Sequence, residues 1–184
     1  MEKRHKLFLI AGETASGKDT LTHKLCEELG LSQIISYTTR PKRNGEGNTH
    51  VFVTDEVYEQ MRAEKNIAAY TNIAECHYWS TIDQLYTNDV YIIDPVGIKS
   101  IEDLHIDDID FCTIYINVPM EVRIDRAINR GDDASVLTKR IGSEMEQFIK
   151  FKAHAGFDYS VSNLNNDKAF EVLKKIIEVE TVQN

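Results

Sequence analysis

The stretch Gly12-Glu13-Thr14-Ala15-Ser16-Gly17-Lys18-Asp19 constrains what this chain can become more than any other. It follows the apolar run Lys6–Ala11, which predicts a strand. It precedes a helical pattern over Lys18–Leu29, with Leu21, Leu25 and Leu29 on one face and Gly30 as the stop. Glycine, four residues, then Gly-Lys, set between strand and helix, is the spacing of a phosphate-binding loop. A dinucleotide fingerprint would need glycines two and five positions on, and they are missing. Glycines let backbone N–H groups turn inward around an anion, and the helix amino terminus adds partial positive charge. Lys18 then reaches the outer phosphates. The expected triphosphate-binding residues are therefore Gly12 to Thr20: Gly12, Glu13, Thr14, Ala15, Ser16, Gly17, Lys18, Asp19 and Thr20. Asp19 occupies the position where a serine or threonine hydroxyl usually meets Mg²⁺. A carboxylate still offers the oxygen ligand that this ion prefers.

Beyond the loop, apolar runs alternate with helical patterns. Val90–Ile93 and Phe111–Val118 read as buried parallel strands, and Gln33–Tyr37, Val51–Val53 and Tyr159–Val161 as shorter ones. Ile67–Ser80 reads as an extended hairpin. A helix is expected from Thr54 or Asp55 to Ala63. Another runs from Ser135 to Phe151 with Ile141, Met145, Phe148 and Ile149 on its apolar face, and a last one carries Phe170, Leu173, Ile176 and Ile177. Strand alternating with helix predicts a three-layer α/β fold, its central sheet parallel, with ligands at the carboxyl ends of the strands. The polar segments 38–50 and 130–140 interrupt this rhythm as insertions over that edge.

Composition narrows the function. With 184 residues, 42% hydrophobic and 28% charged, the chain suits one globular domain. No apolar run approaches a membrane span, and Leu7–Ala11 is too short for a signal peptide. Three widely spaced cysteines suggest neither a disulfide framework nor a zinc site, so a cytoplasmic protein is expected. A net charge of −9 argues against a nucleic-acid polymer as partner. Local basic clusters at Arg40, Lys42 and Arg43, and at Arg123 to Arg140, suit a small anion better. Adjacent Cys76 and His77 have no second ligand pair nearby, which leaves a metal site without support.

Ser36-Tyr37-Thr38-Thr39-Arg40-Pro41-Lys42-Arg43-Asn44-Gly45-Glu46 resembles the monophosphate-binding signature of guanylate kinases. Two arginines three apart can fork around one phosphate. The resemblance continues in order along residues 5–180: His77 to Thr81 resembles the family's hairpin end, Val90 to Lys99 its strand-Asp-x-x-Gly segment, Arg126 to Arg140 its lid, and Phe157 to Asn163 its Tyr-Asp-Tyr…Asn ending. It implies a P-loop NTPase fold in one domain, with a core of 1–34, 82–125 and 141–184, a monophosphate-binding insertion at 35–81 and a lid at 126–140. It implies ATP and Mg²⁺, with GMP or dGMP as acceptor. Carried over by position, Ser36, Arg40, Arg43 and Tyr78 would hold the monophosphate's phosphate, and Ser80 and Asp94 the purine. Lys18, Arg130 and Arg140 would stabilise the transferring group, and Asp19 and Asp94 would face the metal.

Departures concern base selection. His50 stands where the family has a phosphate-binding tyrosine, and Ala69 and Tyr70 occupy the place where a glutamate reads the guanine edge, with Glu75 as a substitute only if the hairpin register slips. Losing that carboxylate removes charged hydrogen bonds worth about 1.5–3 kcal/mol. Two other readings stay open: a kinase of this fold for another nucleotide or small phosphorylated acceptor, and a non-catalytic protein-binding module. The module reading is weakened by the presence of Lys18, Arg130 and Arg140. Monomer and homodimer are equally compatible with the sequence. Asp94, closing an apolar strand before Pro95, reads either as a nucleotide-facing carboxylate or as a helix cap.

Overall fold

β1 (His5–Ala11) sends Leu7, Leu9 and Ala11 to one side and Phe8 and Ile10 to the other, all buried. A strand apolar on both faces belongs in the middle of a sheet covered twice. The computed structural model describes residues 4–42, 47, 49–73 and 75–182. The elements following β1 are α1 (Lys18–Leu29), β2 (Tyr37–Thr38), β3 (Val51–Phe52), α2 (Asp55–Ala63), β4 (Tyr70–Ile73), β5 (Cys76–Trp79) and α3 (Ile82–Thr87). They continue with β6 (Val90–Ile92), α4 (Pro95–Glu102), β7 (Ile109–Asn117), α5 (Met120–Arg130), α6 (Ala134–Ala153), β8 (Tyr159–Ser162) and α7 (Asn166–Val182).

The central sheet is parallel, in the order β6-β1-β7-β8, with Phe8 opposite Val90 and Cys112. On one face Phe8, Ile10, Ile114 and Val161 pack against Leu21 and Leu25 of α1 and Phe170, Leu173 and Ile177 of α7. On the other, Leu7, Leu9, Tyr91 and Tyr115 meet Leu85 of α3, Ile98 and Ile101 of α4, and Phe148 and Phe151 of α6. This is the expected three-layer α/β architecture. Residues 35–81 build a second, smaller sheet in the order β3-β2-β5-β4, backed by α2. Tyr58 of α2 lies 3.9 Å from His77 and 5.1 Å from Trp79, ring centre to ring centre, and Trp79 is wholly buried there as packing.

Two expectations need correction. The Gln33–Tyr37 strand reduces to a single parallel bridge from Gln33 to Val90, followed by β2 at Tyr37–Thr38. The apolar face assigned to the helix at 135–151 is also displaced. Met145 and Ile149 are 46% and 55% exposed, while Leu137, Phe148 and Phe151 are buried. Positions 137, 144, 148 and 151 are separated by seven, four and three, one stripe of a helix. That stripe includes a glutamate, and an apolar count alone therefore rotates the face by about one residue. The segment 126–140 consists of the last turn of α5, the connection at Gly131 (φ 88°) and the first two turns of α6. The three cysteines are free thiols. Among the described residues, no helix is long and apolar enough to cross a membrane.

Candidate active site

The phosphate loop leaves the carboxyl end of β1 and turns into α1 at Gly17, whose φ of 83° is left-handed. A side chain at Gly17 would lie 2.6 Å from Asn163 Nδ2, and one at Gly12 would lie 2.7 Å from Ser16 Oγ and 3.1 Å from the Ile116 carbonyl. Both glycines are therefore needed for space as well as for backbone freedom. Asn163 Nδ2 donates to the Ser16 carbonyl at 2.8 Å, and Arg126 donates to the Asn163 carbonyl at 2.7 Å. Asn163, just past the end of β8, thus buttresses the loop. Ser16 Oγ is buried without a hydrogen-bond partner among the described residues. This orphan hydroxyl, together with a loop that a Cβ would fill, is what an anion cradle requires.

The loop opens into a cleft of about 570 Å³ between the two sheets. Its floor carries Gly12, Thr14, Lys18 and Asp19 from the loop and Ile92 and Asp94 from the end of β6. The insertion contributes Ser36, Arg40, His50, Ala69, Thr71 and Tyr78. Arg140, Ser143 and Glu144 of α6 close the third side. One cleft thus gathers the loop lysine, residues expected at the second anion site and one arginine of the expected lid. His50 lies against Tyr78, 5.7 Å between ring centres. Lys18 Nζ is 3.4 Å from the largely exposed carboxylate of Asp19.

Other expected residues lie elsewhere. Thr20 is exposed on α1. Ser80 is fully buried and does not line the cleft, and its amide donates to the Ala69 carbonyl at 3.2 Å. Arg130 does not line the cleft and is clamped by Asp132 at 2.9 and 2.6 Å. Glu13 is turned away from the cleft and takes the Tyr115 hydroxyl at 2.7 Å and Lys152 at 3.1 Å. Arg43 falls outside the described residues.

Of the two readings of Asp94, the helix cap is seen directly. It caps α4, accepting the Gly97 N–H at 2.7 Å, and its carboxylate also receives the Thr71 hydroxyl at 3.4 Å while facing the cleft. Burial pushes its carboxyl above the usual range, against the pull of the Gly97 bond and of Lys18. Among the described residues no group of three metal-ligating side chains occurs. Mg²⁺ on a nucleotide needs only one or two carboxylates plus phosphate oxygens, and Asp19 and Asp94 match that donor set.

A family model described as guanylate kinase matches residues 4–180. The chain belongs to the guanylate kinase family. It is 32% identical to the guanylate kinase of Coxiella burnetii, over 96% of this chain and 88% of that protein. It is 27% identical to that of Protochlamydia amoebophila, over 96% and 91%. The crystal structure of guanylate kinase from Anaplasma phagocytophilum has the same fold, with a TM-score of 0.70 at 20% identity, covering 98% of this chain and 88% of that one. Two charged side chains beside the loop, the buried Arg123 and the partly buried Glu144, have no counterpart among the residues expected at the site. Glu144 takes the Thr14 N–H, and Arg123 donates to the Thr14 carbonyl. The available signal was Glu144's place on the buried stripe of α6, seven residues from both Leu137 and Phe151.

Proposed function

We propose that this chain transfers the γ-phosphoryl group of ATP to GMP or dGMP, giving ADP and the nucleoside diphosphate. The observation that carries the reading is the single cleft shared by the phosphate loop, Ser36, Arg40 and Tyr78 of the insertion, and Arg140 of α6. The presence of the loop lysine Lys18 and of Arg140 in one cleft supports a kinase over a binding module.

Phosphoryl transfer asks the protein for positioning and charge neutralisation. In this reading the Lys18 ammonium and the loop amides, other than that of Thr14, which Glu144 takes, hold the ATP phosphates. Ser36, Arg40 and Tyr78, with Arg43, hold the acceptor's phosphate. Arg140 neutralises charge on the transferring group, and Arg130 joins it by exchanging its Asp132 partner when the segment 126–140 closes as a lid. Asp19 and Asp94 would hold Mg²⁺, which would supply neutralising charge for the phosphates. Closure of the 35–81 insertion and of the lid over the 1–34, 82–125 and 141–184 core would exclude water and spare ATP from hydrolysis. With Ala69 in place of a carboxylate, Asp94 and Thr71 are the side chains left to meet the purine edge, and Ser80 would reach it only if the insertion repacks. The reading is compatible with a monomer or a homodimer, and we place the protein in the cytoplasm. ADP release with ATP, Mg²⁺ and a panel of nucleoside monophosphates tests the reading, which requires turnover with GMP or dGMP.

A further inference from the structure

The phosphate loop carries a strain that its two glycines do not relieve. Ala15, at the apex, has a φ of 62°, the left-handed region that a side chain disfavours. The residue before it is held on both sides of its backbone. Thr14 N–H donates to the Glu144 carboxylate at 2.9 and 3.0 Å, and its hydroxyl donates to the same group at 2.9 Å. The Thr14 carbonyl accepts from Arg123 Nη1 at 3.2 Å. Glu144 and Arg123 are also paired with each other at 3.3 Å, and Arg123 is anchored to the Val118 carbonyl. Both are largely buried, with side chains 15% and 7% exposed, so water competes weakly for these bonds.

This clamp joins distant parts of the chain. Glu144 comes from α6, one turn past Arg140, and Arg123 from α5, whose other end carries Arg130. We propose that Glu144, held by Arg123, is a positioning residue that keeps Thr14 and the strained Ala15 in the nucleotide-ready loop and ties the loop to the helices flanking the lid. The inference rests on reading the cleft as an ATP site. Its geometry argues against the carboxylate merely filling a phosphate's place. Glu144 is engaged by three bonds to Thr14 and a buried guanidinium, a complete set of partners that an arriving anion would have to break.

The test compares wild type, Glu144→Gln and Glu144→Gln/Ala15→Gly. ATP and GMP affinities are measured separately by calorimetry, and amide exchange of residues 12–17 is followed without nucleotide. Weakening charged bonds to a buried loop should lower ATP affinity about ten- to a hundredfold. GMP affinity should move less than about twofold, and loop exchange should accelerate. Glycine at position 15 removes the strain that the clamp opposes and should recover most of the lost ATP affinity. Unchanged ATP affinity and exchange in Glu144→Gln would overturn the proposal. So would failure of the glycine to rescue, or tighter ATP binding, which would make Glu144 a competitor for the phosphate. Thr14→Val, which removes the hydroxyl bond alone, should show a smaller loss in the same direction and serves if Glu144→Gln does not fold. The exchange readout needs no nucleotide and no turnover, so a wild type that fails to phosphorylate GMP would sink the functional reading while leaving this one testable.

Discussion

Replacing Gly17 by alanine should damage the phosphate loop by an amount that follows from its geometry. Gly17 has a φ of 83°, and forcing an alanine there costs about 1–2 kcal/mol. Its new methyl would lie 2.6 Å from Asn163 Nδ2, a contact that real Cβ atoms do not make. Asn163 is almost wholly buried and donates to the Ser16 carbonyl at 2.8 Å, so it has little room to withdraw without losing that bond. The lost bond adds about 1 kcal/mol, giving a total of roughly 2–3 kcal/mol. For a domain of this size, that should lower the thermal midpoint by about 5–10 °C. The loop amides would shift as well, and the KM for ATP should rise about tenfold or more, with the KM for GMP little changed. Calorimetric unfolding and initial-rate kinetics read the two effects. A variant that melts within about 2 °C of wild type with an unaltered KM for ATP would refute the account of the loop.

Three further perturbations test other parts of the structure. Lys18→Ala should lower kcat/KM about a hundredfold or more while leaving GMP binding, measured by calorimetry, within about twofold of wild type. Trp79→Ala empties the largest buried position of the insertion and should cost about 3–5 kcal/mol in urea unfolding, without directly touching the phosphate loop. Glu180 is held below the ordinary carboxyl value of 4.5 by hydrogen bonds from Lys6 and then Tyr159. A carboxyl depressed in the native state contributes stability above its unfolded value, and that contribution fades as pH falls through the lower native value. Glu180→Gln should therefore be less stable than wild type by about 1–2 kcal/mol at pH 7, with the gap closing below about pH 4. A gap that stays constant down to pH 3 would contradict that assignment.

Much of this was legible in the sequence because it is encoded locally. The loop between β1 and α1 is a contiguous string whose glycines, lysine and flanking periodicities each report on a few neighbouring residues. The signature from Ser36 to Arg40 is equally local, and the structure brings Ser36 and Arg40 to the same cleft as Lys18. What stayed hidden depends on contacts between distant segments. Glu144 and Thr14 are 130 residues apart and Arg123 and Thr14 are 109 apart, and neither pairing has a spacing that can be read. The buried stripe of α6 was misplaced because Glu144 stands where an apolar residue would mark the face, while Met145 and Ile149 face outward. Ser80 looked available as a purine contact, yet the hydrogen bonds that join it to Ala68 and Ala69 continue the hairpin into the core and bury it. Arg130 was expected in the cleft, but Asp132, two residues on, captures it in this conformation.

The most direct test is ADP release from ATP and Mg²⁺ with GMP, dGMP, IMP, AMP, CMP and UMP offered in turn. The account predicts turnover with GMP or dGMP, and its loss in Lys18→Ala. Turnover with AMP, CMP or UMP and none with GMP or dGMP would contradict the assigned acceptor, and no turnover with any of the six would contradict the central claim that this cleft is a nucleoside monophosphate kinase site.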